Sequence, residues 1–310
     1  MKLGIIVVYL IKEEDEKLLE LHLSRIERHT GMPYTIYGCA NRLLPKFIRL
    51  IEKHPRIRIF DCEHTNLRDS EEHAFYLEQL VKIAIRDGAT HIVTLHIDSF
   101  PVRDGWADEL AGKLSEFCVL SAIMRDEKYD RKPNTACMFF HRDFYLKYHP
   151  TFRLSGKETS FPAYKRYKKE YAHVPDSGVG YGFKIYLEGL AWHPLLRSDK
   201  DEDHCGIGSI YGDLIFHLSS ANRELKCFPG DDARTVNVGN FRKAFVALRN
   251  FGAPLLPNKV REKAHMFLPR AIEDFLFPQY KTNEEAFITV KKDLLSDPES
   301  YLNYLRTGKR

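Results

Sequence analysis

His96 and Asp98 stand two residues apart in the run His91-Ile-Val-Thr-Leu-His-Ile-Asp-Ser-Phe-Pro-Val-Arg-Asp-Gly-Trp106. An imidazole nitrogen beside a carboxylate oxygen suits Mn²⁺, and a carboxylate joined by phosphate oxygens suits Mg²⁺. In an extended chain side chains alternate, so His96 and Asp98 are expected on one side, facing one ligand or ion. A second pair, Asp213 and His217, is four residues apart. On a helix that spacing stacks both on one face, whereas residues 214–218 read equally well as a strand.

These residues need elements to position them. Leu3 to Leu10 is an apolar, β-branched run of the kind buried on both faces of a sheet. Glu13 to His29 is helical, with Leu19, Leu23 and Ile26 inward. Tyr34 to Cys39 is a strand, Pro45 to His54 a helix, Ile57 to Asp61 a strand and Glu71 to Asp87 an amphipathic helix. His91 to Leu95 is the strand that delivers His96. This alternation predicts an α/β fold with a mostly parallel sheet, right-handed crossovers and helices on both faces, its ligand edge at the strands' carboxyl ends. Val119 to Met124 and Ala136 to His141 are further strands. The Lys- and Tyr-rich stretch 151–173 reads as an irregular or mobile insertion. A solvated face of a short helix accounts for Lys165 to Lys169, with contact to an acceptor as the other reading. A helix is expected from near Tyr181, and helical pattern from Asn240 onward.

The segment 96–106 resembles the GT-A glycosyltransferases, especially family-2-like members, whose strand ends in Asp-Ser-Asp-Ala-Phe-Pro-(Val/Ile)-Arg-Asp-Gly-Trp. In this register His96 occupies the first acidic position of the DxD motif, Ile97 the middle and Asp98 the second. The resemblance implies a Rossmann-like GT-A domain over residues 1–235, a helical extension over 236–310, and a nucleotide-diphosphate sugar, UDP-linked, bound with Mn²⁺ or Mg²⁺. Metal ligands would be Asp98, His96 and, as a late histidine, His217. The nucleotide edge would draw on Val8, Tyr9, Glu13, Asn41, Asn66 and His73, for which ordinary loop and cap chemistry is the alternative. An inverting enzyme needs a carboxylate base, and a retaining one does not. Asp176, in Val174-Pro-Asp-Ser-Gly-Val-Gly-Tyr181, resembles the acceptor-side (Asp/Glu)-Thr-Gly segment and is the first choice; a turn or N-cap role is the other. Asp213 is the second choice.

Composition bounds the reading. A net charge of +4 over 310 residues suits an anionic substrate and is no nucleic-acid footprint. The six cysteines include no CxxC pair, which argues against a zinc ribbon and for reduced thiols in a cytoplasmic protein. The N-terminal apolar run ends in Lys12, Glu13, Glu14 and Asp15 rather than in a cleavage site. That acidic cluster also fits poorly with a nucleotidyltransferase, which wants a basic Gly-rich loop there. A non-catalytic nucleotide-sugar-binding protein of the same fold is the stronger rival, because His96 replaces an acidic residue. Residues 238–271 alternate basic and aromatic side chains, a pattern suited to an anionic membrane surface and a lipid-linked acceptor, or to a helix packed on the catalytic domain. The acceptor would be a glycan or a lipid-linked species.

Overall fold

The computed structural model describes residues 1–11, 15–40, 43–67, 69–125, 131–171, 176–200, 207–219 and 278–309. Its first half alternates as expected: β1 (Leu3–Val8), α1 (Glu16–His29), β2 (Tyr34–Cys39), α2 (Pro45–Glu52), β3 (Ile57–Phe60), α3 (Asp69–Arg86) and β4 (His91–Leu95). Then follow β5 (Ser99–Pro101), α4 (Trp106–Gly112), β6 (Cys118–Ile123), β7 (Asn134–His141), α5 (Arg142–Tyr148), α6 (Gly156–Ser160), α7 (Pro162–Tyr171), α8 (Val179–Leu187), β8 (Ala191–Leu195), β9 (Ser209–Tyr211) and β10 (Ile215–His217). Two C-terminal helices, α9 (Pro278–Ser296) and α10 (Pro298–Thr307), complete the described chain.

Among the described residues, seven strands form one sheet in the order β3-β2-β1-β4-β7-β6-β8. Only β7 runs against its neighbours β4 and β6. All six residues of β1 are buried, as a central strand covered on both faces requires. Since β6 runs with β4, the carboxyl ends of β1, β2, β3, β4, β6 and β8 open on one edge. A second, antiparallel sheet, β5-β10-β9, stands at that edge.

The helix α1 is buried on two sides. Leu19, Leu23 and Ile26 pack on the main sheet. Leu18 and Leu21 instead join Phe100, Ile210, Phe216 and Leu218 of the small sheet and Val290, Leu294, Leu302 and Leu305 of α9 and α10. Polar links tie the same contact: Asp15 pairs with Lys291, Arg25 with Glu299 at 3.1 Å, and Arg306 Nη2 donates to the Val102 carbonyl at 2.6 Å. The described C-terminal helices therefore brace the small sheet.

Residues 151–173 depart from the irregular stretch expected. They hold α6, opened by a Ser155–Glu158 capping box, and α7, which buries Tyr164 and Tyr167 against Phe183 of α8 while Lys165, Arg166, Lys168 and Lys169 face solvent. The tyrosines recur at helical spacing, and their burial rather than local propensity decides the outcome. The basic-aromatic segment 238–271 lies outside the described residues. No described helix is long and apolar enough to cross a membrane.

Candidate metal and ligand site

The strand β4 ends at Leu95, and the chain turns at once. Ser99 N donates to the His96 carbonyl at 3.0 Å, closing a turn over 96–99. The extended alternation expected for His96 and Asp98 is thus replaced by a turn. The cause lies in Ser99: its hydroxyl accepts from the His96 N–H at 2.8 Å and donates to the Ala136 carbonyl at 2.6 Å, and its carbonyl binds buried His22 Nδ1 at 2.9 Å. The turn still places His96 Nδ1 3.9 Å from Asp98 Oδ1.

His217 arrives through the small sheet. In β10 it pairs with Ser99, and the following Leu218 N donates to the Asp98 carbonyl at 2.9 Å. This register sets His217 Nε2 3.6 Å from Asp98 Oδ1. His217 is in a strand, so its stacking with Asp213 on a helix face does not occur. Asp213 lies exposed in the β9–β10 turn at φ 57°, four residues before His217, where Arg103 Nε donates to its carbonyl.

The donor atoms of His96, Asp98 and His217 lie within 4.8 Å of one another. Ligands sharing one first-row cation, each roughly 2.1 Å from it, stand about 3–3.5 Å apart, so the cluster needs only a small contraction to hold an ion. Burial drives the His217 pKa well below its usual value; the Arg125 charge adds to this and Asp176 opposes it. The ring is therefore neutral, the form that ligates. Its Nδ1 lies 3.3 Å from Ser219 Oγ, while its buried Nε2 makes no hydrogen bond among the described residues. A buried ring nitrogen without a hydrogen bond, 3.6 Å from a carboxylate oxygen, is the observation that fits a cation here. Two imidazoles and one carboxylate favour Mn²⁺ over oxygen-seeking Mg²⁺.

A hydrogen-bonded layer lies behind the cluster. His96 Nε2 is 3.1 Å from Thr135 Oγ1, which is 2.9 Å from Ser177 Oγ, which is 3.1 Å from His73 Nδ1 on α3. The His73 and His96 rings meet edge to face at 4.9 Å. Ser177 N donates to Asp176 Oδ1 at 2.8 Å, and Asp176 Oδ2 lies 4.0 Å from Arg125 Nη1. His73 and Asp176 are thus brought to the site. Gly178 and Gly180 allow this approach of α8, because a Cβ would fall 2.0 Å from the Pro133 carbonyl oxygen and 1.9 Å from that of Thr151. Thr135, Ser177 and Arg125 were missed from sequence, although Arg125 directly follows an expected strand at the ligand edge.

Packing holds several other expected site residues. Val8 and Ile97 are buried core side chains, and Tyr9 is buried with its ring against Gly38, where a Cβ would meet it at 2.7 Å. An apolar run at a central strand's end is claimed by packing before it can reach a ligand. Asn66 is exposed on the loop ahead of α3 and makes no hydrogen bond to the cluster among the described residues. Glu13 and Asn41 lie outside the described residues. The rest of the 96–106 motif is structural too: Phe100 stacks on Phe216, Asp104 accepts from His29 Nδ1 at 2.7 Å, and buried Trp106 donates to Thr30 Oγ1.

No family model matches the chain, and none of the curated proteins does. Among solved structures it is similar to mouse xyloside xylosyltransferase 1 in its apo form, with a TM-score of 0.39 at 10% identity over 63% of this chain and 85% of that one. It is similar to S. aureus TarS in complex with UDP-GlcNAc, with a TM-score of 0.41 at 12% identity over 66% of this chain and 60% of that one. A cytidylyltransferase from Leptospira borgpetersenii gives a TM-score of 0.42 at 12% identity over 68% of this chain and 81% of that one.

Proposed function

We propose that the chain is a GT-A-type glycosyltransferase that moves a sugar from a nucleotide-diphosphate donor, UDP-linked, to a glycan or lipid-linked acceptor. The observation that carries this reading is the His96–Asp98–His217 cluster at the carboxyl edge of the parallel strands, two of its members buried, with Asp176 beside it. Open α/β sheets bind ligands at that edge. His96, Asp98 and His217 would hold a divalent cation, Mn²⁺ in preference to Mg²⁺, and when bound it supplies positive charge against the leaving diphosphate.

The protein's own groups do the rest. Thr135 and Ser177 orient the His96 ring from behind. Asp176 is the candidate base: its Oδ1 is held by the Ser177 N–H, and its Oδ2 lies 4.0 Å from Arg125 Nη1. In an inverting transfer the acceptor oxygen bonds to the anomeric carbon and the carbon–diphosphate bond breaks. The electron pair leaves with the nucleoside diphosphate, and the hydroxyl proton passes to Asp176. Asp176, partly buried and linked through Ser177 and Thr135 to His96, is better placed for that than exposed Asp213 in the β9–β10 turn.

A thermal-shift screen of nucleotide sugars with and without Mn²⁺ tests the reading, because a ligand at 100 times its dissociation constant adds about 2.7 kcal/mol. A donor that stabilises the protein only with metal, and is then hydrolysed or transferred, is the expected result. Binding without hydrolysis or transfer to any acceptor would leave a binding protein, and no binding would end the reading.

A further inference from the structure

We propose that Arg125 is the residue that recognises the phosphate charge of the ligand, and that Asp176 holds this guanidinium until the ligand takes it over. The inference rests on the nucleotide-diphosphate reading above and adds to it a recognition residue and an exchange of partners.

Placement comes first. The strand β6 runs parallel to β4, so its carboxyl end opens on the same edge as the His96–Asp98–His217 cluster. Met124 N donates to the Leu195 carbonyl at 3.1 Å, anchoring the backbone to β8. Arg125 is the next residue, and its side chain is 24% exposed. Its Nη1 lies 4.0 Å from Asp176 Oδ2, and the adjoining Ser177 reaches His96 through Thr135, so the guanidinium stands beside the cluster.

Arg197, at the neighbouring β8 end, shows what a structural arginine looks like here. It is clamped two-pronged by fully buried Asp199 at 2.7–3.0 Å, and Asp199 also accepts from Ile210 N. The Arg125–Asp176 pair is different. It is long, at 4.0 Å, and both members keep about a fifth of their side-chain surface in solvent. Asp176 is fixed from the other side by the Ser177 N–H. A guanidinium fork matches phosphate oxygens, and a diphosphate brings more charge than one carboxylate. Among the described residues the site holds two carboxylates, Asp98 and Asp176, which oppose an anion. A cation at the cluster offsets the first, and Arg125 offsets the second. When Arg125 turns to the diphosphate, Asp176 Oδ2 loses the guanidinium's charge and becomes a stronger base for the acceptor's proton, so arrival of the donor readies the base.

Calorimetry on the full chain with excess Mn²⁺ tests this, with UDP and inorganic diphosphate as separate probes. Arg125→Gln should weaken both roughly tenfold to a hundredfold, the range for a lost charged hydrogen bond. Asp176→Asn should tighten both several-fold, and by more than it does in the Arg125→Gln background, where only the relief of the carboxylate's repulsion is left. Unchanged affinity in Arg125→Gln, or a gain from Asp176→Asn that is as large without Arg125 as with it, overturns the proposal. If Arg125→Gln does not melt cooperatively, Arg125→Lys decides: weaker diphosphate binding supports the fork, and equal binding sinks it. Wild-type binding of diphosphate but not UDP would end the nucleotide reading and leave Arg125 standing. Binding of neither probe would end both.

Discussion

The strand β4 begins with one histidine and delivers another just past its end, and each meets a second histidine and an aspartate. At the amino edge His91 pairs across the strands with His141, ring centroids 4.8 Å apart, and His141 Nδ1 lies 3.3 Å from Asp143 Oδ2. At the carboxyl edge stand His96, His217 and Asp98. The residue types are the same, and the physical situations are not. Asp143 is 73% exposed and its own backbone N–H donates to His141 Nδ1, so water solvates the carboxylate and a local bond occupies the ring nitrogen. Asp98 is 5% exposed and lies between two ring nitrogens. Among the described residues only this second group gathers three donors within 4.8 Å. A metal-ready cluster needs donors turned inward and held dry from behind; two histidines and an aspartate in proximity do not suffice.

The comparison breaks most sharply at its carboxylate. Asp98→Asn should lower Mn²⁺ affinity more than a hundredfold in calorimetry and remove metal-dependent UDP binding, since the one anionic donor is lost. His91→Ala with His141→Ala should leave both unchanged. Retention of Mn²⁺ binding by Asp98→Asn would refute the cluster as a metal site.

His217→Ala comes next. It should cost roughly a hundredfold in Mn²⁺ affinity and much less for Mg²⁺, which gains little from nitrogen. Equal losses for the two ions would mean that the imidazole does not ligate. Thr135→Val keeps the shape of the side chain and deletes its hydroxyl behind His96. An effect of about tenfold on Mn²⁺ affinity is expected for such a supporting partner. Affinity at the wild-type level would show the Thr135–Ser177 layer to be structural only.

The smallest effect sits at the other edge. Burial, reinforced by the His141 charge, pushes the His91 pKa down to about 4. The unfolded chain takes up a proton near pH 6.5 that the folded protein refuses, so stability falls as pH drops from 6.5 toward 4. His91→Gln should remove part of that fall, lessening the drop in melting temperature between pH 7 and 4.5 by a degree or two, the ring being partly solvated. An unaltered pH slope would show that His91 titrates normally.

Strand runs such as Leu3–Val8 and His91–Leu95 were legible because a strand covered on both faces must be apolar throughout, and that needs no knowledge of its neighbours. The helical face of Leu19, Leu23 and Ile26 was legible for the same reason. Leu18 and Leu21 were not, because the helices that cover them lie more than 250 residues onward. Tyr9 and Val8, expected at the nucleotide edge, have buried side chains, and an aromatic at a strand end looks alike whether it meets a base or a glycine such as Gly38.

His96 and Asp98 could be chosen from sequence, because a polar triplet after a buried strand has few other uses. That they meet through a turn rather than along a strand was decided by Ser99, whose partners Ala136 and His22 come from β7 and α1. His217 could be named as a candidate and no more. Its place beside Asp98 depends on the pairing of β10 with β5 and on the C-terminal helices that brace that small sheet. Local pattern reports burial and chain direction, which are properties of short segments. A site built from β4, β6, β7, β10 and the α8 approach is a property of how those segments pack, and only the tertiary structure determines it.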